Sequence, residues 1–243
     1  MVFALAAPAA AQVPPSAVES AAYSGLHAAA QSGDVAAIEG LAASFPTTGE
    51  SRGSRGSRGS RGSCESSELR QALQARDSYG RTPLHVATFA RQRAAIAALL
   101  AAGADPAALD SGRYDAVTIA AVADDEDSLQ IMLARGASAK LVTSRYDGTA
   151  LIAAAHLGHD GVVRQLIAAG APLDHVNNLH WTALMEAVVL GDGGTRHQAT
   201  LRALLDAGAN MQLTDRAGRT ALQLARGRDY GAMVHMLEHA GAR

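Results

Sequence analysis

The chain has 243 residues, enough for one large domain or an extended array whose core needs no cross-links. Its formal net charge of −2 supplies no global field toward nucleic acid or anionic lipid. Hydrophobic residues make up 48%, but 55 of them are alanine, which favours helix, and strand formers are sparse, so the composition points to an all-α protein. The single cysteine, Cys64, excludes an intrachain disulfide and a Cys-based zinc site.

At the start, residues 2–7 are apolar, and Ala9-Ala10-Ala11 before Gln12 resembles an A-x-A signal-peptidase site without the usual basic n-region. Residues 1–22 are therefore read as a truncated, signal-like or disordered leader. That makes the protein periplasmic or secreted, or cytoplasmic if the leader is not a signal. No apolar run approaches the roughly 20 residues that span a bilayer, so no membrane span is expected.

The rest of the chain repeats. GRTPLHVATFARQRAAIAALLAAGAD from Gly80, DGTALIAAAHLGHDGVVRQLIAAGAP from Asp147 and AGRTALQLARGRDYGAMVHMLEHAGA from Ala217 share Thr, then Pro or Ala, then Leu, and a closing Ala-Gly-Ala or near variant. The closing glycines are Gly103, Gly136, Gly170, Gly208 and Gly241, spaced 33, 34, 38 and 33 residues apart. A period of this length indicates a stacked solenoid unit. The motif resembles the ankyrin consensus D-x-x-G-x-T-P-L-H-x-A-A…V-x-x-L-L-x-x-G-A-D, and DSYGRTPLHVA (Asp77 to Ala87) matches it almost letter for letter.

The resemblance covers about residues 23–243. It implies an all-α ankyrin-repeat solenoid of about six helix–loop–helix repeats joined by short β-hairpins. The repeats fall near 23–44, 77–106, 110–139, 144–173, 177–211 and 215–243, with Leu26, Leu84, Val117, Leu151, Leu184 and Leu222 at the first-helix leucine position. Thr82 suits an N-cap and Pro83 the first helical position. Leu84 and Ala87 then turn inward, and Ile96 and Leu99 close over them. Gly33, Gly158 and Gly191 are placed where the first helix ends in positive φ, a position held elsewhere by Arg91, Asp124 and Asp229. Asp115 replaces the capping Thr of repeat three. About five extra residues within GDGGTRHQAT (Gly191 to Thr200) are placed in the inter-helix loop of repeat five.

Leu26 and Leu84 stand 58 residues apart, about 25 more than one period, and the excess contains SRGSRGSRGSRGS, Ser51 to Ser63. Residues 45–72 are thus read as a flexible loop inserted in the array, dispensable for the fold because lengthening an exposed loop costs little. The run carries no aromatic side chain to stack on bases, so nucleic acid is not expected as a partner.

Three constellations could carry chemistry. His235-Met236-Leu237-Glu238-His239 fits an H-x-x-E-H string, but both histidines hold exposed positions of the last helix in the repeat register. Asp124-Asp125-Glu126-Asp127 falls one layer from His156, His159 and Asp160, and reads as a solvated helix start. His85 and His159 occupy positions where the resemblance implies structural ties. No nucleophile elbow, P-loop or dinucleotide fingerprint occurs. The expectation is no catalytic residue, no metal and no cofactor. The alternative is a metal-binding or metal-dependent protein using surface His and acidic clusters.

What remains is binding. The resemblance implies docking on a concave side made of hairpin tips and first-helix ends. There it places Tyr79, Arg81, Phe89, Tyr114, Arg145, Tyr146, His156, Leu157, Leu179, Trp181, Leu190, Arg216 and Arg219 as partner-binding residues. Five of the nine aromatic residues fall in that set, and aromatics with arginines are what binding hot spots are made of. The expected function is a monomeric, non-enzymatic module that binds another protein. YDAVTIAAVADD and WTALMEAVVLGDGG also look like stretches of bacterial ankyrin proteins, some of them associated with oxidative-stress defence. The resemblance therefore implies an accessory role of that kind in the periplasm as a further alternative.

Overall fold

The computed structural model describes residues 12–44 and 68–242, so residues 1–11, the SRG run and Cys64 lie outside the described residues. Among the described residues, fourteen helices follow in chain order. They are α1 (Ala17–Ala22), α2 (Gly25–Ser32), α3 (Val35–Ser44), α4 (residues 68–73), α5 (Pro83–Phe89), α6 (Arg93–Ala101), α7 (Ala116–Val122) and α8 (Glu126–Ala134). Then come α9 (Ala150–Leu157), α10 (Asp160–Ala168), α11 (Ala183–Val189), α12 (Thr195–Asp206), α13 (Ala221–Arg226) and α14 (Gly231–His239). Two strands, β1 (Val142–Thr143) and β2 (Gly148–Thr149), pair antiparallel with Val142 opposite Thr149.

The helices stack in two layers. The first helices contact one another in the order α2, α5, α7, α9, α11, α13, and the second in the order α3, α6, α8, α10, α12, α14. Leu26, Leu84, Val117, Leu151, Leu184 and Leu222 are all buried between the layers, and Ile96 and Leu99 close over Leu84 and Ala87. The alanines do the spacing. Ala30, Ala87, Ala120, Ala121, Ala154, Ala155 and Ala187 are fully buried, and their small side chains let neighbouring helices approach. The result is one continuous core along the stack.

The first helices from α5 to α13 start from a side-chain cap, whereas Ser24 makes no cap bond at the start of α2. The hydroxyls of Thr149, Thr182 and Thr220 accept from the third helical amide at 3.3–3.4 Å, and Asp115 accepts from Thr118 at 2.8 Å. At Thr82 the cap runs through His85, whose Nδ1 accepts from the Thr82 amide at 3.1 Å. That leaves Nε2–H to donate to the Tyr114 carbonyl in the next finger at 3.0 Å. Burial holds the ring below its ordinary pKa, as a neutral tie requires. His27, His159, His175 and His197 make the same kind of link, each bonding a carbonyl of an adjacent repeat.

The first helices end in positive φ at Gly33, Arg91, Asp124, Gly158 and Asp229. Arg91 carries the strain of that geometry, about 1 kcal/mol, and its guanidinium reaches the Ala123 carbonyl. Repeat five departs from the expectation: its positive φ lies at Gly193, not Gly191. Gly191 is needed for closeness instead, since a Cβ there would meet the Ala187 carbonyl oxygen and the His197 ring.

Three segments differ from the sequence reading. Residues 12–22, assigned to the leader, include a capped helix: Ser16 and Glu19 form a capping box at the start of α1. Residues 68–72, assigned to the inserted loop, are helical and lead into the buried Leu73. The extra residues of repeat five are not simply loop. The second helices α6, α8, α10 and α14 each have nine residues, whereas α12 has twelve.

The lengthened start of α12 clasps the stack. The His197 ring stands between two acceptors, Asp192 Oδ1 at 2.8 Å and the His156 carbonyl oxygen at 3.0 Å. Arg196 reaches past repeat four to Asp124 in repeat three at 2.8 Å, with Asp160 at 3.7 Å. Tyr230 of repeat six donates to the Gly191 carbonyl from the other side. Arg196→Ala is expected to lower stability by about 0.5–1 kcal/mol, because its partners are half-exposed and screened. Urea melts at low salt and in 1 M NaCl check this: the deficit should shrink at high salt, and an equal deficit in both refutes it.

Candidate functional site

One side of the stack is made of the fingers and the C-terminal ends of the first helices. Four of the described fingers share one local chemistry, and that of repeat four has Ser144 in its place. Asp77, Asp110, Asn177 and Asp215 each use Oδ1 to accept from the amides two and four residues on, at 2.8–3.0 Å, and close the turn with a backbone bond. Adjacent fingers are joined in register: Ser111 donates to the Tyr79 carbonyl, Ser144 to that of Arg113, and Asn178 to that of Tyr146. Tyr79, Tyr146, Leu179 and Arg216 therefore stand on neighbouring, mutually bonded tips.

The expected docking residues divide by exposure. Tyr79, Arg145, Leu157, Leu190, Arg216 and Arg219 are exposed, and Phe89, Tyr146, His156, Leu179 and Trp181 are half-buried. Trp181 also packs against the core. Two assignments are corrected. Tyr114 is buried, and its carbonyl takes the His85 bond. Arg81 is fully buried: its guanidinium donates to Asp77 at 2.7 Å, Glu19 at 2.6 Å and the Val13 carbonyl at 3.0 Å. The Tyr79 ring covers it at 4.7 Å. Neither side chain can meet a partner. Arg219, at the equivalent place in repeat six, makes the same bonds to Asp215 but stays exposed, because no second carboxylate closes over it.

The other constellations are occupied by their own neighbours. Arg93 pairs with Asp125 and Asp127, and Arg196 and Arg164 with Asp160. His235 and His239 stack with centroids 6.2 Å apart on the exposed face of α14. Among the described residues no group of three or more His, Cys, Asp or Glu is placed to hold a metal ion, and no helix is long and apolar enough to cross a membrane.

One functional candidate was missed in the sequence. Glu186 sits in α11 in register with Val86, Ile119, Ala153 and Leu224, a column otherwise apolar. It is 3% exposed. Oε1 accepts from Asn177 Nδ2 at 2.8 Å, whereas Oε2 is buried without a hydrogen-bond partner. His156 Nδ1, on the next first helix, lies 3.6 Å from Oε2, beyond bonding distance. Burial pushes the Glu186 carboxyl up to about 7, against the opposing bond from Asn177. Burial also lowers His156, helped by the nearby His197 and His159. The finger is matched to this carboxylate: repeat five has Asn177 where repeats two, three and six have aspartate, and only the amide can donate to Glu186.

Three repeats described as Ankyrin repeats match residues 117–215, and a further Ankyrin repeat matches residues 79–111. The ankyrin-repeat protein YahD of Escherichia coli is 36% identical over 167 residues, covering 68% of this chain and 83% of YahD. The solved ankyrin repeat domain from Acinetobacter baumannii AYE superposes with a TM-score of 0.74 at 38% identity, covering 90% of this chain and 98% of that one. The ankyrin repeat domain of Bcl-3, a member of the IkappaB protein family, gives 0.73 at 26% identity over 91% of this chain and 87% of its own.

Proposed function

The chain belongs to the ankyrin-repeat family, and from that premise we propose that it is a non-enzymatic, monomeric module that docks a partner protein on the side formed by its fingers and first-helix ends. Ankyrin repeats mediate protein–protein interaction; the choice of face is this reading's own. One observation carries it: Leu157 and Leu190, at the ends of the contacting helices α9 and α11, are both exposed, and Tyr146, Trp181 and His156 are half-buried. The exposed Arg145 and Arg216 stand on the tips. An apolar stripe left in water with aromatic and arginine neighbours marks an interaction surface.

Export to the periplasm belongs to the same reading. Cleavage after Ala11 would leave Val13, Ser16 and Glu19 to make every contact of α1 described above.

The test uses charge on the apolar stripe. In a Leu157→Glu/Leu190→Glu variant both side chains start exposed, so the melting temperature should hold while affinity for a partner captured by cross-linking falls at least tenfold. An unchanged affinity in the folded variant sinks the assignment of this face.

A further inference from the structure

We propose that this face receives a lysine side chain of the partner, its ammonium seated on Glu186 Oε2 beneath the His156 ring. The proposal rests on the docking reading above and names the chemistry that the docked partner must bring.

A carboxylate is out of place in the column of Val86, Ile119, Ala153 and Leu224. Buried polar atoms find partners, yet Oε2 has no hydrogen bond from the protein, and the nearest basic group is the His156 ring 3.6 Å away. A buried carboxylate costs free energy unless something compensates it. Asn177 satisfies only Oε1, so the partner of Oε2 comes from outside the described residues. His156 is the neighbouring ring, 35% exposed in the last turn of α9 and 3.6 Å from the open oxygen.

The single open acceptor selects the cation. Asn177 already fills Oε1, so one oxygen is open. A guanidinium is held best by two parallel bonds, whereas a compact ammonium needs one acceptor. Val189 follows Glu186 by three residues and shares its face of α11, and Leu190 is the C-cap of that helix. Leu157, which follows His156 in α9, and Leu190 are exposed apolar side chains at the ends of two contacting helices, suited to the four-carbon stem of a lysine. A divalent metal is a poorer fit, because only Glu186 and His156 converge here and no third ligand joins them among the described residues.

The groups around the site fix the pH dependence. His156 faces Glu186 from α9, with His159 and His197 next to it, and Asp192 bonds His197. Asn177 from the finger carries no charge. His156 is held low and stays neutral above its ordinary range, so ionisation of Glu186, at about 7, governs binding.

Trp181 reports on the site, because it is the only tryptophan and its amide shares Asn177 with Glu186. The full chain is titrated with n-butylammonium at pH 6 and pH 8, following Trp181 fluorescence. The expected result is a saturable change, about tenfold tighter at pH 8, the ratio set by the ionised fraction of a carboxyl at about 7. Glu186→Gln should weaken it at least tenfold, and butyltrimethylammonium, which has no N–H to donate, should bind at least tenfold more weakly. An absent response, an equal response in Glu186→Gln, or equal binding of the trimethyl analogue overturns the proposal. The probe needs no partner protein. A missing butylammonium response beside partner loss in Leu157→Glu/Leu190→Glu therefore removes only the lysine assignment, and the reverse pattern removes only the docking face.

Discussion

Replacing Arg81 by alanine is expected to cost about 3–5 kcal/mol and to free α1 from the stack, the largest single-residue effect in the molecule. The guanidinium is wholly buried and joins three separate pieces of chain: Asp77 of its own finger, Glu19 of α1 and the Val13 carbonyl. Removing it strands the buried Asp77 carboxylate. Burial works against that charge, and the bonds from Tyr23 and Arg81 more than offset it, so the group lies below its usual pKa. Tyr23 feels the same site from the other side, its hydroxyl pushed well up by burial and by its 2.6 Å bond to Asp77.

Arg219 is the internal control. It makes the same local bonds to Asp215 but is exposed, so Arg219→Ala should cost no more than about 1 kcal/mol. The pair can be compared by urea denaturation and by hydrogen exchange at residues 17–30. Fast exchange there in Arg81→Ala, with the C-terminal repeats still protected, is the expected pattern, because repeats contact only their neighbours and unravel from an end. Equal small losses in both variants would show that Arg81 is not the anchor of α1.

That contrast also explains how far the sequence could be read. The repeat register was legible because each unit carries its own cap, leucine and closing glycine, and these are local. The six leucine-position residues and the His85 tie follow from that register alone. The burial of Arg81 was not legible, since in register it matches the exposed Arg219, and what covers it is α1, which belongs to no repeat. Tyr114 was misplaced for a related reason: aromatic character says nothing about whether a neighbouring finger closes over the ring. The extra residues of repeat five were counted as loop because they exceed the period, although TRHQATL holds no glycine or proline and extends a helix without difficulty. Glu186 did leave a signal, a lone charge in an apolar register column.

Glu186 carries the second large effect, and its sign is opposite to that of Arg81. Its ordinary carboxyl value is 4.5 and its folded value about 7. Below pH 4.5 the group is protonated folded or unfolded, and burial costs nothing through ionisation. As pH rises toward 7 the unfolded chain ionises freely while the folded one resists, so stability falls, and above 7 the full difference is lost, about 3 kcal/mol. Glu186→Gln keeps the shape and the bond from Asn177 but cannot ionise. The variant should match the parent near pH 4.5 and exceed it by about 3 kcal/mol at pH 8, as read from urea melts across that range. Parallel curves for the two proteins would refute the burial penalty. A stabilised variant that no longer answers to butylammonium is the informative combination. A stability cost of this size at one buried carboxylate, on the face proposed to dock a partner, is what a group kept for binding would show.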